Sequence, residues 1–197
     1  MFMGAAESAG HVPITLEEWA DLDEDEPGEV VDGFLVEEEM PSLVHEVVVM
    51  WLGHALVDWG RPRGAFVLGS EWKLAVSKNR GRKADVVVYL SGTHRPPGLS
   101  NLGRTPPDIV IEVVTARPRD ARRDRVEKMD DYANFGVRYY WLVDPQLRSL
   151  EVFELTNGRY SRVLGVSEAP TAEIPGLEGL VLHVADLWAA VERAEST

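Results

Sequence analysis

The sequence contains no cysteine. A disulfide framework and a thiolate zinc site are therefore both excluded. No apolar run approaches the roughly 20 residues that span a bilayer. The first residues, MFMGAAESAG, lack a basic region followed by a long apolar one, so they do not read as a secretory signal. These absences lead to the expectation of a cytoplasmic protein with no membrane partner. Also missing are a GxxxxGK[ST] phosphate loop, a GxGxxG fingerprint and a GxSxG elbow. No zinc finger or helix-turn-helix is apparent, so no recognition sequence is expected. Most unevenly distributed is positive charge: no Lys or Arg precedes Arg61.

What is present is ample apolar material. Hydrophobic residues make up 45% of 197 residues, enough for a sizeable core in one domain. Residues 1–28 read as an acidic arm with a short helix, 29–166 as the core, and 167–197 as a tail ending in a helix. The net charge of −13 argues against binding nucleic acid by bulk electrostatics. Yet half of the 20 basic residues fall in two short segments. Lys78, Arg80, Arg82 and Lys83 precede Asp85; Arg117, Arg119, Arg122, Arg123, Arg125 and Lys128 follow Glu112. A global acidic balance can thus coexist with a local positive rim.

The patterning predicts an α/β protein, with helices packed on a mixed sheet. Thr15-Leu16-Glu17-Glu18 is a capping box that starts a short helix. Asp32-Gly33 joins two strands between Glu29 and Glu38. Pro41-Ser42 opens a helix of about four turns with a stripe of Val and Leu. Strands follow at Ala65–Leu68, Trp72–Val76 and Asp85–Leu90, with a polar loop over Ser77–Lys83. After a Gly- and Pro-rich loop, Asp108–Thr115 is the most apolar strand. Asp120–Phe135 reads as a helix burying Val126, Met129 and Ala133, stopped by Gly136. A strand at Tyr139–Val143, a hairpin at Leu150–Val166 and a helix at Ala185–Ala194 complete the chain.

Two carboxylates stand out. Glu112 shares a strand face with Val110 and Val114, a costly position unless it is paired or binds a metal. Its competing reading is a strand-end Glu paired with a nearby Arg. Asp85 opens the run Val86-Val87-Val88 and could simply cap a turn. If the two strands are neighbours, both carboxylates can share one hard cation, and Mg²⁺ needs only one or two protein carboxylates.

These residues resemble the PD-(D/E)xK nucleases, and more closely the Uma2 (DUF820) group. The matching stretches are Glu29-Val30-Val31-Asp32-Gly33, Lys83-Ala84-Asp85-Val86, Pro107 through Thr115, Lys128-Met129-Asp130-Asp131-Tyr132, and Gly136 through Pro145. They cover most of residues 29 to 155. The resemblance implies a restriction-endonuclease-like core and an endonuclease using Mg²⁺ or Mn²⁺, held by Asp85 and Glu112.

There are two departures. Ala84 replaces the usual Pro, which affects backbone stiffness rather than ligation. Val114 stands where Glu-x-Lys would place an amine. The resemblance suggests that this lysine has moved to Lys128 on the following helix. The competing reading of Lys128 is a surface lysine paired with Asp124 at i−4. An acid on the first core helix often completes the metal shell in such folds, which nominates Glu46; a solvated helix face is its alternative. His45 and Glu71 are weaker candidates. Arg82, Lys83, Arg117, Arg122 and Arg125 are expected to contact phosphates of a nucleic acid, DNA in the first instance. A homodimer is expected because duplex cleavage commonly uses two sites related by a twofold axis. The alternative is a catalytically degenerate binding or dimerisation module, for which an exposed Trp19 or Trp51 would speak.

Overall fold

The computed structural model describes residues 13–22, 28–36, 40–115 and 122–196. Helix α1 (Leu16–Ala20) begins with the expected capping box: the Thr15 side chain accepts from the Glu18 amide, and the Glu18 carboxylate accepts from the Thr15 amide. Strands β1 (Glu29–Val31) and β2 (Phe34–Val36) turn through Asp32 and Gly33, both at positive φ, as a two-residue hairpin of the primed type requires. Helix α2 (Leu43–Gly60) is capped by the Ser42 hydroxyl.

Strands β3 (Phe66–Leu68), β4 (Lys73–Ser77), β5 (Arg80–Lys83), β6 (Val86–Tyr89) and β7 (Ile109–Val113) follow. A π-helical segment, Arg123–Lys128, runs into α3 (Met129–Phe135), which ends at a left-handed Gly136. Then come β8 (Tyr139–Asp144), β9 (Ser149–Thr156) and β10 (Arg159–Val166), followed by a small β11–β12 hairpin (Ala172–Glu173, Val181–Leu182) and helix α4 (Val184–Glu195). No helix among the described residues is long and apolar enough to cross a membrane.

Six strands form the main sheet in the order β10-β9-β8-β7-β6-β3. Within it β7 and β8 run parallel, and the π–α3 segment lies in the connection between them; the other neighbours are antiparallel. One face, with Val86, Ile109, Ile111 and Trp141, packs against Val48, Leu52 and Leu56 of α2 and Leu187 and Val191 of α4. The other face, with Val87, Tyr89, Val110 and Tyr140, packs against Leu74 of β4 and Tyr132 of α3. Strand β4 belongs to a second, four-stranded sheet ordered β2-β1-β5-β4.

Arg80–Lys83 corrects the expected loop: only Lys78-Asn79 turn, and Arg80–Lys83 is strand β5, paired with both β4 and β1. Strand β5 carries no apolar side chain, so alternation could not announce it. Its burial comes from two other sources. Gly81 lets the Trp19 ring approach the backbone closely, and Arg82 is enclosed by carboxylates. Trp19 is only 1% exposed, so it offers no docking surface, and Trp51 is half-buried. Val126, expected inside its helix, is 50% exposed instead.

An added Cβ at Gly81 would lie 2.3 Å from the Trp19 ring. Gly81→Ala must therefore displace α1, at a cost of about 1–3 kcal/mol of overpacking. Thermal melting should show a lowered transition, and an unchanged one would refute this account of β5.

Candidate active site

Strands β6 and β7 pair with Val86 opposite Ile111. One step further along each strand stand Asp85 and Glu112, so the ladder itself places the two carboxylates across from each other. Both line a cavity of about 220 Å³ that also reaches Glu46, Glu71, Lys83, Thr115, Arg123 and Lys128.

Each carboxylate is held by two donors. Asp85 Oδ2 accepts from the Val113 amide at 2.6 Å, and Oδ1 lies 3.2 Å from His45 Nε2. Glu112 is 2% exposed; its Oε2 accepts from Lys128 Nζ at 2.9 Å and its Oε1 from the Tyr132 hydroxyl at 2.8 Å. The amine absent at Val114 is therefore present beside Glu112, reached from the π-helical segment instead of the strand. The i−4 pairing with Asp124 exists too, at 3.7 Å, but it is buried rather than on the surface. Lys128 also lies 3.3 Å from Glu29 Oε1. Wide π turns often occur at functional sites, and this one turns both Asp124 and Lys128 inward.

The electrostatics follow from three carboxylates, Glu29, Glu112 and Asp124, gathered on one lysine with Asp85 across from Glu112. Burial pushes the Glu112 carboxyl well above its ordinary value; Lys128 opposes this, while Asp85, Asp124 and Glu29 add to it. Burial likewise raises Asp124 to about 6. Glu29 moves the other way: burial would raise it, but Lys128, Arg82 and Arg123 outweigh that and hold it near 2. Burial raises the Tyr132 hydroxyl, which keeps it a donor to Glu112. His45 is raised despite its burial, because Asp85 and Glu46 favour the imidazolium.

These opposed shifts set the pH dependence of stability. A raised carboxyl costs stability above its unfolded value, so protonating Asp124 and Glu112 stabilises the fold as pH drops from neutral toward about 5. A depressed carboxyl does the reverse: the contribution of Glu29 is present above about 4.5 and is lost as pH falls toward 2. Melting temperature in chelator should therefore peak in mildly acidic buffer. A steady decline from pH 7 downward would contradict the network.

Glu46 reaches the cavity mouth from α2, with its side chain 54% exposed and 3.5 Å from His45 Nδ1. Lys83 lines the cavity and pairs with Glu71 at 3.2 Å. Arg122 is exposed at the start of its helix. Arg125 is bound to Asp144 at 2.8 Å and Glu151 at 3.2 Å, which offsets much of its charge. Arg117, like Arg119, lies outside the described residues. Arg82 is a correction: its guanidinium is 0% exposed, 2.7 Å from Glu29 and 2.7 Å from Asp131, so it cannot face a phosphate. Sequence reasoning passed over Tyr132, Thr115 and the role of Glu29. For Tyr132 a signal existed, its i+4 spacing from Lys128 on one helix.

The donor set suits a hard divalent cation. All the candidate carboxylates offer oxygen, the donor such a cation takes. Thr115 Oγ1 lines the same cavity, buried and without a hydrogen-bond partner among the described residues. Among those residues no three His, Asp or Glu side chains form a ready cage.

A mixed sheet flanked by helices, with paired carboxylates and a lysine at the end of its central strands, defines a restriction-endonuclease-like fold. The crystal structure of a "putative nuclease belonging to DUF820" from Anabaena variabilis ATCC 29413 superposes with a TM-score of 0.72 at 19% identity, covering 91% of this chain and 99% of that one. The type IIG restriction endonuclease BpuSI aligns at 15% identity over 82% of this chain and 18% of its own, with a TM-score of 0.38, too slight a likeness to carry weight. No curated protein sequence is similar enough to count as a relative. The sequence profile of the Uma2 family, described as "Putative restriction endonuclease", matches residues 15–185. The chain belongs to the Uma2 family.

Proposed function

We propose that this protein is a metal-dependent endonuclease that hydrolyses phosphodiester bonds of nucleic acid, DNA in the first instance. The observation that carries this reading is Lys128 Nζ at 2.9 Å from Glu112, in the cavity that Asp85 shares. A carboxylate pair and an amine are the groups such hydrolysis needs.

Asp85 and Glu112 would hold Mg²⁺ or Mn²⁺, with Glu46, which lines the same cavity, as a further ligand. The cation supplies a polarised phosphate oxygen and a more acidic water. The chain's own residues do the rest. The Val113 amide and His45 fix the plane of Asp85, and Tyr132 and Lys128 fix that of Glu112, so little reorganisation is left to the reaction. Lys128 opposes the rise that burial imposes on the Glu112 carboxyl, and its ammonium would favour the charge growing on phosphorus. Lys83 and Arg122 would position the flanking phosphates without reading sequence. A homodimer would present two such sites to a duplex.

The test is cleavage of labelled single- and double-stranded DNA and RNA at low salt with Mg²⁺, Mn²⁺ or EDTA, beside Asp85→Ala. Cutting that needs the metal and Asp85 is expected. Well-folded protein that neither cuts any substrate nor binds Mn²⁺ would overturn the reading.

A further inference from the structure

A second cleft, of about 890 Å³, opens between the edge strand β3 and the loop of residues 91–100. Its wall is aromatic and apolar: Phe66, Leu68, Trp72 and Tyr89. Its basic side chains are His94 and Arg95, and the lining contains no Asp or Glu, in a chain with 33 acids against 20 Lys and Arg. The Arg95 guanidinium lies 3.8 Å from the centroid of the half-exposed Phe66 ring, so a flat cationic group already occupies the position that a flat ligand would take.

The cleft and the carboxylate site lie on one side of the main sheet. Phe66 pairs with Tyr89, and Leu68 with Val87. By strand alternation these residues share a face with Asp85. From Asp85 to Tyr89 is about 13 Å along β6 at roughly 3.3 Å per residue. That is the length of about four stacked nucleotides at roughly 3.4 Å each. The turn between β3 and β4 separates the two cavities, with Ser70 and Glu71 lining the carboxylate site and Leu68 and Trp72 lining the cleft.

We propose that this cleft binds an unpaired stretch of the nucleic-acid strand, whose bases stack on Trp72 and displace Arg95 from the face of Phe66, so that the freed guanidinium meets the phosphates. Stacking on aromatic rings beside a basic rim is how single strands are held without regard to sequence, and a duplex cannot offer its base faces in this way. The protein would therefore prefer substrates with a single-stranded segment beside the scissile bond. This inference rests on the nuclease reading given above.

The test uses the full chain in EDTA at low salt. Fluorescence anisotropy would follow a labelled oligothymidine and a labelled blunt hairpin duplex. Phe66→Ala and Trp72→Ala should each weaken oligothymidine binding by about tenfold, within the range of one lost stacking contact, and leave duplex binding within about twofold. Arg95→Ala, on an exposed loop, serves where Trp72→Ala fails to fold and should give the same selective loss. Wild-type protein that binds oligothymidine as tightly as the three variants do would overturn the inference and spare the nuclease reading. Failure of the wild type to bind oligothymidine would also overturn the inference, whereas the nuclease reading stands or falls on the cleavage and Mn²⁺-binding test above.

Discussion

Replacing Glu112 by Gln is expected to reduce metal-dependent cleavage by about 10³-fold or more, with a melting temperature in chelator no lower than that of the wild type. The first effect follows from the loss of one of two carboxylates that would hold the cation. The second follows from charge. Glu112 sits 2% exposed among Asp85, Asp124 and Glu29, and burial raises its carboxyl well above the ordinary range. A neutral amide of the same shape removes that repulsion. Its oxygen can still accept from Tyr132 or Lys128, and Lys128 keeps Glu29 at 3.3 Å and Asp124 at 3.7 Å. Structural carboxylates usually behave the other way, costing stability when neutralised. Turnover within tenfold of the wild type would remove Glu112 from the catalytic centre. A large drop in melting temperature would instead make it a structural ion-pair member.

The residue that carries this prediction was readable from the sequence because it breaks a local rule. A Glu among valines on a strand is expensive unless something binds it, whereas Asp85 at the head of a Val run could be a turn cap and gains weight only from its pairing with Glu112. The capping box at Thr15, the two-residue turn at Asp32-Gly33 and the stop at Gly136 were legible for the same reason, since each is a short-range device whose chemistry needs particular residues. Strand β5 was not legible. Arg80-Gly81-Arg82-Lys83 has no apolar alternation, and its burial is made by residues 49 to 62 positions away, Trp19 on Gly81 and Glu29 and Asp131 on Arg82. Lys128 lay between these cases. Spacing could show that it shared a helix face with Asp124, but only the packing of that helix on β7 decides that the face is buried against Glu112.

Arg82 tests the difference most sharply, because the sequence placed it on a phosphate and the fold places it under the site. Its guanidinium forks between β1 and α3: Nη1 donates to Glu29 Oε2 at 2.7 Å, and Nε to Asp131 Oδ2 at 2.8 Å. With Arg82→Met, Glu29 would be left to Lys128 and the Lys83 amide, and Asp131 to the Arg80 contact at 3.2 Å. Removing one partner of a buried ion network costs about 3–5 kcal/mol, since the remaining charges stay desolvated. Chemical denaturation should show that loss. Arg82→Lys should recover only part of it, because a single ammonium cannot reproduce a planar fork to two carboxylates. Arg122→Ala, on the exposed helix start, should do the opposite, weakening oligonucleotide binding and flattening its salt dependence at nearly unchanged stability. If Arg82→Met unfolds at the wild-type denaturant concentration yet binds oligonucleotide more weakly, Arg82 is a phosphate contact after all. If stability falls as expected, the bridge from Glu29 through Arg82 to Asp131 is what ties the smaller sheet to the helical segment that carries Lys128, and the position of the Lys128 amine beside Glu112 depends on it.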